Sequence, residues 1–184
     1  MNSILIINIC KERLHELEFV KPIEAILEKQ ELTFETKHYK NLTIEDIKKP
    51  SKIIICGTSL KDNEFLEKEK MFEWILVYSK PLLGICGGME LIGKVYGAQV
   101  KKKQEIGLNE INFEIPFLGI YDKKQVYQLH DFYIDLSSTK NFEIHSKSYY
   151  NIPQAIKHKS KPTYGVLFHP EVRNKELVIE FCKL

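Results

Sequence analysis

The sequence predicts an α/β fold: a mostly parallel sheet with helices on both faces. Two observations carry this expectation. Short, Ile-rich apolar runs recur through the first 97 residues, and runs this continuous mark strands buried on both faces. Between them stand stretches whose apolar residues repeat at helical spacing. Strands alternating with helices imply parallel neighbours joined by crossovers. Ligands of such sheets bind beyond the carboxyl ends of the strands, so the loops after Ile9, Cys56 and Ile85 should line the site.

Residues 4–9 are apolar throughout and read as the first strand, with no basic segment or cleavage site that would make them a signal peptide. Residues 20–32 carry Ile23, Ile26 and Leu27 at helical spacing, with Pro22 in the first turn, where its missing N–H leaves nothing unsatisfied. Residues 33–39 alternate and favour a strand; 43–48 form a short helix capped by Thr43 and stopped by Pro50. A third strand spans 52–56. Residues 63–78 place Phe65, Leu66, Phe72, Ile75 and Leu76 on one side and read as an amphipathic helix. Residues 81–85 form a fourth strand and 89–96 a helix.

The second half changes character. Residues 109–115, 125–129, 142–147, 153–157 and 163–168 are short strand candidates, separated by turns at Gly119, Asn141, Asn151 and Pro162. Residues 174–184 close the chain as a helix with Leu177, Val178 and Phe181 on one face. Neither a repeat nor a linker divides the sequence, so residues 1–184 are expected to form a single domain.

Composition excludes several classes of function. With 43% hydrophobic and 28% charged residues the chain has the makings of a packed globule. A net charge of +2 leaves no dominant footprint for nucleic acid, and Lys101, Lys102 and Lys103 read as a solvated loop. No run reaches the ~18 apolar residues of a membrane span. Four scattered cysteines, Cys10, Cys56, Cys86 and Cys182, suit a reducing cytoplasm, and the lack of a Cys-x-x-Cys pair argues against a thiolate metal site. No cofactor is expected.

Chemistry concentrates at two places. Gly84-Ile85-Cys86-Gly87-Gly88 lies where a buried strand meets a helix, the Gly-x-nucleophile-x-Gly turn with cysteine as nucleophile. Small neighbours let the backbone fold tightly around Cys86, and the helix N-terminus favours its thiolate. The alternative is a tight turn that happens to hold a small buried side chain. A thiolate needs a base and a group to orient that base. Of the six histidines, His169 stands out: it ends an apolar strand, and Pro170 stiffens the turn that carries Glu171 two residues on. Read blandly, His-Pro-Glu is an ordinary strand-to-helix connection. His15, His38 and His158 lie among charges and read as surface residues, and His145 alternates within a strand. His130, in His130-Asp131-Phe132, belongs either to a site-facing loop or to an ordinary turn. Cys10 and Cys182 read as packing residues, and Cys56 as the end of a buried strand.

Together these residues resemble the class I, or triad, glutamine amidotransferases, whose signatures Gly-Ile-Cys-x-Gly-x-Gln and Phe-His-Pro-Glu correspond to Gly84-Ile85-Cys86-Gly87-Gly88-Met89-Glu90 and Phe168-His169-Pro170-Glu171. The resemblance covers essentially the entire chain. It implies a flavodoxin-like mixed sheet, and a reaction in which Cys86 attacks the side-chain amide of L-glutamine, His169 protonates departing ammonia, and Glu171 orients His169. It implies an oxyanion hole from Gly87 and from the loop after the third strand, usually Gly-Gly-Pro-x and here Cys56-Gly57-Thr58-Ser59, in which Gly57 matches best. Glu90 replaces the family's glutamine; a carboxylate only accepts hydrogen bonds and would receive the substrate's ammonium. His130, Asp131 and Phe132 roughly match the family's substrate loop.

Within the family, Glu105-Ile106-Gly107 and Tyr164-Gly165-Val166-Leu167-Phe168-His169-Pro170-Glu171-Val172 are most similar to the free-standing glutaminase subunit of archaeal-type GMP synthase. The chain carries no Ser-Gly-Gly-x-Asp-Ser pyrophosphate loop, so the resemblance implies that ammonia passes to a separate ATP-dependent synthase subunit. Two rival readings stand beside it: a free γ-glutamyl hydrolase of the same fold, and a degenerate regulatory subunit without turnover.

Overall fold

The computed structural model describes residues 3–184; Met1 and Asn2, the start of the N-terminal segment, lie outside the described residues. One nine-stranded sheet runs through the molecule. Its strands are β1 (Ile4–Asn8), β2 (Phe34–His38), β3 (Lys52–Ile55), β4 (Leu82–Ile85), β5 (Gln99–Phe117), β6 (Ile120–Asp135), β7 (Phe142–Lys147), β8 (Pro153–His158) and β9 (Thr163–Val166). The order across the sheet is β2-β1-β3-β4-β9-β8-β7-β5-β6.

The first five strands in that order are mutually parallel, and their sequence is that of a flavodoxin-like doubly wound sheet. The other four join antiparallel. The expectation of a mostly parallel sheet is therefore corrected: four of the eight strand pairings are parallel and four antiparallel. The physical reason is connection length. Only a three-residue 3₁₀ turn, Leu136–Ser138, and no α-helix lies between β5 and β9, and short links can join only antiparallel neighbours.

Helices cover both faces of the parallel half. On one side α1 (Arg13–Phe19), α2 (Lys21–Lys29) and α6 (Glu176–Lys183) bury Phe19, Ile23, Leu27, Leu177 and Phe181. On the other, α4 (Glu64–Glu67) and α5 (Gly87–Val95) bury Phe65, Leu66, Met89 and Ile92. The short α3 (Ile44–Lys48) opens on a capping box in which Thr43 and Asp46 satisfy each other's backbone N–H groups. Among the described residues no helix is long and apolar enough to cross a membrane.

Several elements differ from the sequence reading. Helix α1 was not expected, because Leu14 and Leu17 point to solvent and its apolar spacing is weak. Residues 63–78 are not one helix: α4 gives way to a 3₁₀ run over Glu69–Leu76 that still buries Phe72 and Ile75. Of the five short strands expected in the second half, 142–147, 153–157 and 163–168 correspond to β7, β8 and β9, whereas 109–115 and 125–129 are parts of one long hairpin, 19 residues of β5 against 16 of β6. Leu118 and Gly119, both at positive φ (44° and 77°), make its two-residue turn, the geometry that suits the strand twist. Lys101, Lys102 and Lys103 lie in β5, not in a loop, with their side chains exposed. His158 is buried rather than superficial, its ring packed 5.0 Å from Tyr96 and 5.4 Å from Phe142.

The β4–α5 junction is packed backbone against backbone. A Cβ on Gly88 would stand 2.5 Å from the carbonyl oxygen of Ile55, closer than side-chain carbons approach a backbone atom. Gly88→Ala is therefore expected to destabilise the fold by about 1–3 kcal/mol, the usual range for overpacking a rigid interior. Urea titration of both proteins, followed by far-UV circular dichroism, measures it; an unchanged midpoint would show that the junction yields freely.

Candidate active site

The parallel register of β4 and β9 sets the site. Ile85 pairs with Val166, and the Cys86 N–H donates to the Val166 carbonyl at 2.7 Å. Two residues 83 positions apart in the sequence are thereby brought to one sheet end: Cys86, one step beyond β4, and His169, three steps beyond β9.

Cys86 occupies the N-cap of α5 with φ 49° and ψ −108°, a backbone conformation that side chains seldom adopt and that marks a strained turn. The thiol is buried and donates to the Leu129 carbonyl at 3.5 Å. Burial pushes its pKa up; His169 opposes that shift, while Glu90 and Glu171 add to it. Burial thus disfavours the thiolate, and the neighbouring imidazole is the group that favours it.

His169 is buried and held at three points. Its N–H donates to the Tyr127 carbonyl at 2.9 Å, its Nδ1 lies 2.7 Å from Glu171 Oε1, and its ring packs 5.3 Å from Phe19. Nε2 has no hydrogen-bond partner among the described residues. Burial alone would lower the imidazole's pKa, but Glu171 and Cys86 outweigh it and hold it well above its ordinary value. A carboxylate on Nδ1 fixes the tautomer that leaves Nε2 free to exchange a proton.

The loop after β3 closes against this pair. A Cβ on Gly57 would meet His169 Cε1 at 2.8 Å and Cys86 Cβ at 3.4 Å, so glycine lets the backbone come close to both side chains. The Gly57 carbonyl receives Cys10 Sγ at 3.8 Å. Gly87 opens α5 directly after Cys86. A cleft at this end is lined by Thr58, Ser59 and Asp62 from the β3 side, by Cys86, Gly87 and Glu90 from the nucleophile turn, and by Leu129, His130, Asp131 and Phe132.

The structure thus brings together the candidate site residues named from the sequence, with three differences. His130, Asp131 and Phe132 lie in neither a loop nor a turn; they belong to β6, the outermost strand, whose main chain spans one wall of the cleft. The loops after β3 and β4 line the cleft as expected, whereas the loop after β1 buttresses it from behind through Cys10. Glu90 also differs from a fixed anion. Burial lifts its pKa from the ordinary 4.5 to about 7, with His169 opposing and Asp131 reinforcing the shift. A carboxyl pushed toward its neutral form donates as well as accepts, as an amide does.

Sequence reasoning missed other groups. Glu105 is buried beside His130, 3.2 Å from its Nε2, and accepts from Gln154 Nε2 at 2.9 Å. Asp62 is buried and bonded to His15, Lys11 and Thr58; burial raises its pKa, and these hydrogen bonds overcome that and lower it. The signal for Asp62 was its position four residues beyond Thr58, which means nothing until the loop is seen to curl. Among the described residues no three His, Cys, Asp or Glu side chains converge as a metal-binding group.

The family model for class I glutamine amidotransferases matches residues 16–182. A glutamine-hydrolyzing GMP synthase subunit of Pyrococcus abyssi is 35% identical over 163 residues, 82% of this chain and 85% of that protein. The glutamine-hydrolyzing GMP synthase of Spiroplasma kunkelii is 37% identical over 143 residues, 72% of this chain, but the match spans only 27% of that longer protein. A solved structure described as a GMP synthase subunit from Thermoplasma acidophilum covers 100% of this chain and 93% of its own, with a TM-score of 0.87 at 20% identity, a likeness of fold.

The raised pKa of Glu90 carries a stability consequence. A carboxyl whose folded pKa lies above its unfolded one binds its proton more tightly when folded. Its contribution is most favourable below pH 4.5, is lost as pH rises to about 7, and stays lost above. The shift corresponds to about 3 kcal/mol. Glu90→Gln should therefore be more stable than wild type at pH 8 by up to that amount, with the gain vanishing near pH 4. Urea midpoints at the two pH values test it; equal gains at both would mean that Glu90 stays charged throughout.

Proposed function

The chain belongs to the class I glutamine amidotransferase family, and on that premise we propose that it is the glutaminase component of an amidotransferase, of the GMP synthase type, working through the triad Cys86, His169 and Glu171. The observation that carries the proposal is the buried His169–Glu171 pair at 2.7 Å, docked beside a cysteine held at φ 49° on a helix N-terminus.

The steps follow from the geometry. His169 Nε2 takes the thiol proton as Sγ attacks the side-chain amide carbon of glutamine. The oxyanion that forms is received by N–H groups of Gly57 and Gly87, an arrangement that typically contributes about 3–4 kcal/mol to lowering the barrier. His169 then gives its proton to the departing nitrogen, ammonia leaves, and a γ-glutamyl thioester remains. Water attacks that thioester, His169 removes its proton and returns it to sulfur, and glutamate is released. Glu171 holds the imidazole in one tautomer and stabilises its cationic form. Glu90, His130, Asp131 and Phe132 bind the amino-acid end of the substrate, and neutral Glu90 stands in for the family's glutamine.

Ammonia is then used by a separate ATP-dependent synthase subunit, in keeping with a relative whose name makes it one subunit of a GMP synthase, and the reaction belongs in the cytoplasm. A glutaminase assay on the chain alone and with that synthase subunit decides among the readings. Stimulation by the partner supports the proposal. Partner-independent cleavage of γ-glutamyl peptides would mark a γ-glutamyl hydrolase, and no turnover in either mixture a degenerate regulatory subunit.

Two kinetic outcomes are expected. His169→Ala should abolish turnover, while Glu171→Ala should leave a reduced rate, since the imidazole keeps its backbone and Phe19 contacts. Glu90→Gln should lower the Michaelis constant for glutamine several-fold at pH 8 and little at pH 6, because one added donor is worth about 0.5–1.5 kcal/mol only where the wild-type acid has ionised. Steady-state kinetics across pH measure both. Near-full activity in His169→Ala, or weaker glutamine use by Glu90→Gln, would overturn the corresponding assignment.

A further inference from the structure

Asp62 lies in the wall of the cleft, yet its bonds run away from the cleft and into the scaffold. One oxygen, Oδ2, accepts from three donors on three segments: the Thr58 hydroxyl at 2.8 Å, the Lys11 backbone N–H at 2.8 Å and His15 Nδ1 at 2.9 Å. Asp62 is 4% exposed, and so is Thr58. The Asp62 N–H in turn donates to the Ser59 carbonyl at 2.9 Å, which closes the loop on itself. A buried carboxylate satisfied in this way is held firmly, because breaking any one bond leaves a desolvated charge less well paired.

The segment that this carboxylate grips begins at Gly57. The peptide between Gly57 and Thr58 is held from both sides, its carbonyl by Cys10 Sγ and its following residue by Asp62. Cys10 is itself fixed, since its N–H donates to Asn8 Oδ1 at 2.8 Å. The family's usual sequence places proline where Thr58 stands here. Proline stiffens a loop by removing φ freedom; a threonine hydroxyl bonded to a buried carboxylate restrains the same residue by another route.

We propose that Asp62 is a positioning residue that locks the loop after β3 to the loop after β1 and to helix α1, and so fixes the oxyanion-binding backbone at Gly57 relative to Cys86. The proposal rests on the glutaminase reading for its kinetic consequence but not for its structural one. An N–H group stabilises a developing oxyanion only when it is already aimed at it. Loosening the clamp should therefore slow acylation and leave ground-state binding of glutamine nearly untouched.

The test compares Asp62→Ala, the shape-conserving Thr58→Val, and Asp62→Asn, which keeps an acceptor at the same place. Hydrogen–deuterium exchange reads the clamp directly: residues 56–63 and 9–15 should exchange faster in Asp62→Ala, and residues 56–63 faster in Thr58→Val, with the rest of the sheet unchanged. With glutamine, kcat should fall about 10–100-fold in Asp62→Ala, less than complete loss of an oxyanion donor, with the Michaelis constant within about twofold of wild type. Asp62→Asn should recover part of that loss. Alkylation of Cys86 by iodoacetamide, which needs the thiolate but no oxyanion hole, should proceed at the wild-type rate. Unchanged exchange over residues 56–63 would overturn the proposal. So would a raised Michaelis constant at unchanged kcat, which would make Asp62 a substrate ligand, or alkylation falling in step with kcat, which would indicate general collapse. If wild type itself fails to hydrolyse glutamine, the glutaminase reading falls and the exchange data alone decide the clamp.

Discussion

The site depends on one strand pairing. Only because Ile85 and Val166 stand side by side in parallel register do a cysteine and a histidine far apart in sequence meet at one sheet end. A slip of one residue would turn every side chain of the strand to the other face, and that is strongly resisted where both faces are packed. Leu83, Ile85 and Val166 are all fully buried. The strain at Cys86 is tolerable for the same reason: a non-glycine residue at φ 49° costs about 1–3 kcal/mol and persists only where the surroundings leave the chain no alternative. The Cys86–Val166 backbone bond on one side and Gly88 against Ile55 on the other leave it none.

The electrostatics follow from placing three carboxyl groups in a dry environment and giving each a different neighbourhood. Glu171 has an imidazole at 2.7 Å and acts as that ring's counter-ion. Asp62 is offered three donors and remains a structural anion. Glu90 has no such partner close by, and burial drives it toward neutrality. The same functional group is thus paired with a ring, satisfied by three donors or pushed toward neutrality, according only to what surrounds it. The thiol sits among them, raised by burial and by the two glutamates and lowered by His169.

Much of this was legible in the sequence, and the remainder was not, for definite reasons. Strands β1, β3 and β4 are dominated by Ile and Leu, and Gly84 to Gly88 reads as a strand-to-helix turn without any structure. His169 and Glu171 were readable because Pro170 fixes the local geometry between them. The long hairpin was not readable: on β5 only Glu105, Ile111, Phe113 and Phe117 are buried, so the alternation that marks a strand is lost among exposed polar residues. Helix α1 was hidden in the same way. The Glu105–His130 and Asp62–His15 pairs bridge residues 25 and 47 positions apart, and no local pattern announces a contact made only by folding.

One wall of the cleft comes from the edge of the sheet. Strand β6 is the edge of the sheet and pairs only with β5, which itself touches β7 through just two residue pairs, Asn112–Lys147 and Phe113–Ser146. Yet β6 provides the carbonyl that receives the Cys86 thiol, the carbonyl that holds the His169 N–H, and the side chains of His130, Asp131 and Phe132. Cys86 and His169 are thereby tied to a single ribbon, which buries Ile111, Phe113, Phe117, Ile120, Val126 and Ile134 in the core and whose Glu105 accepts from Gln154. A rigid parallel half fixes where Cys86 and His169 lie, and an outlying hairpin fixes how their protons are directed. The hairpin's solvent-facing Ile106 and Leu108, opposite Leu129 and Tyr127 in register, sit one strand away from those two carbonyls.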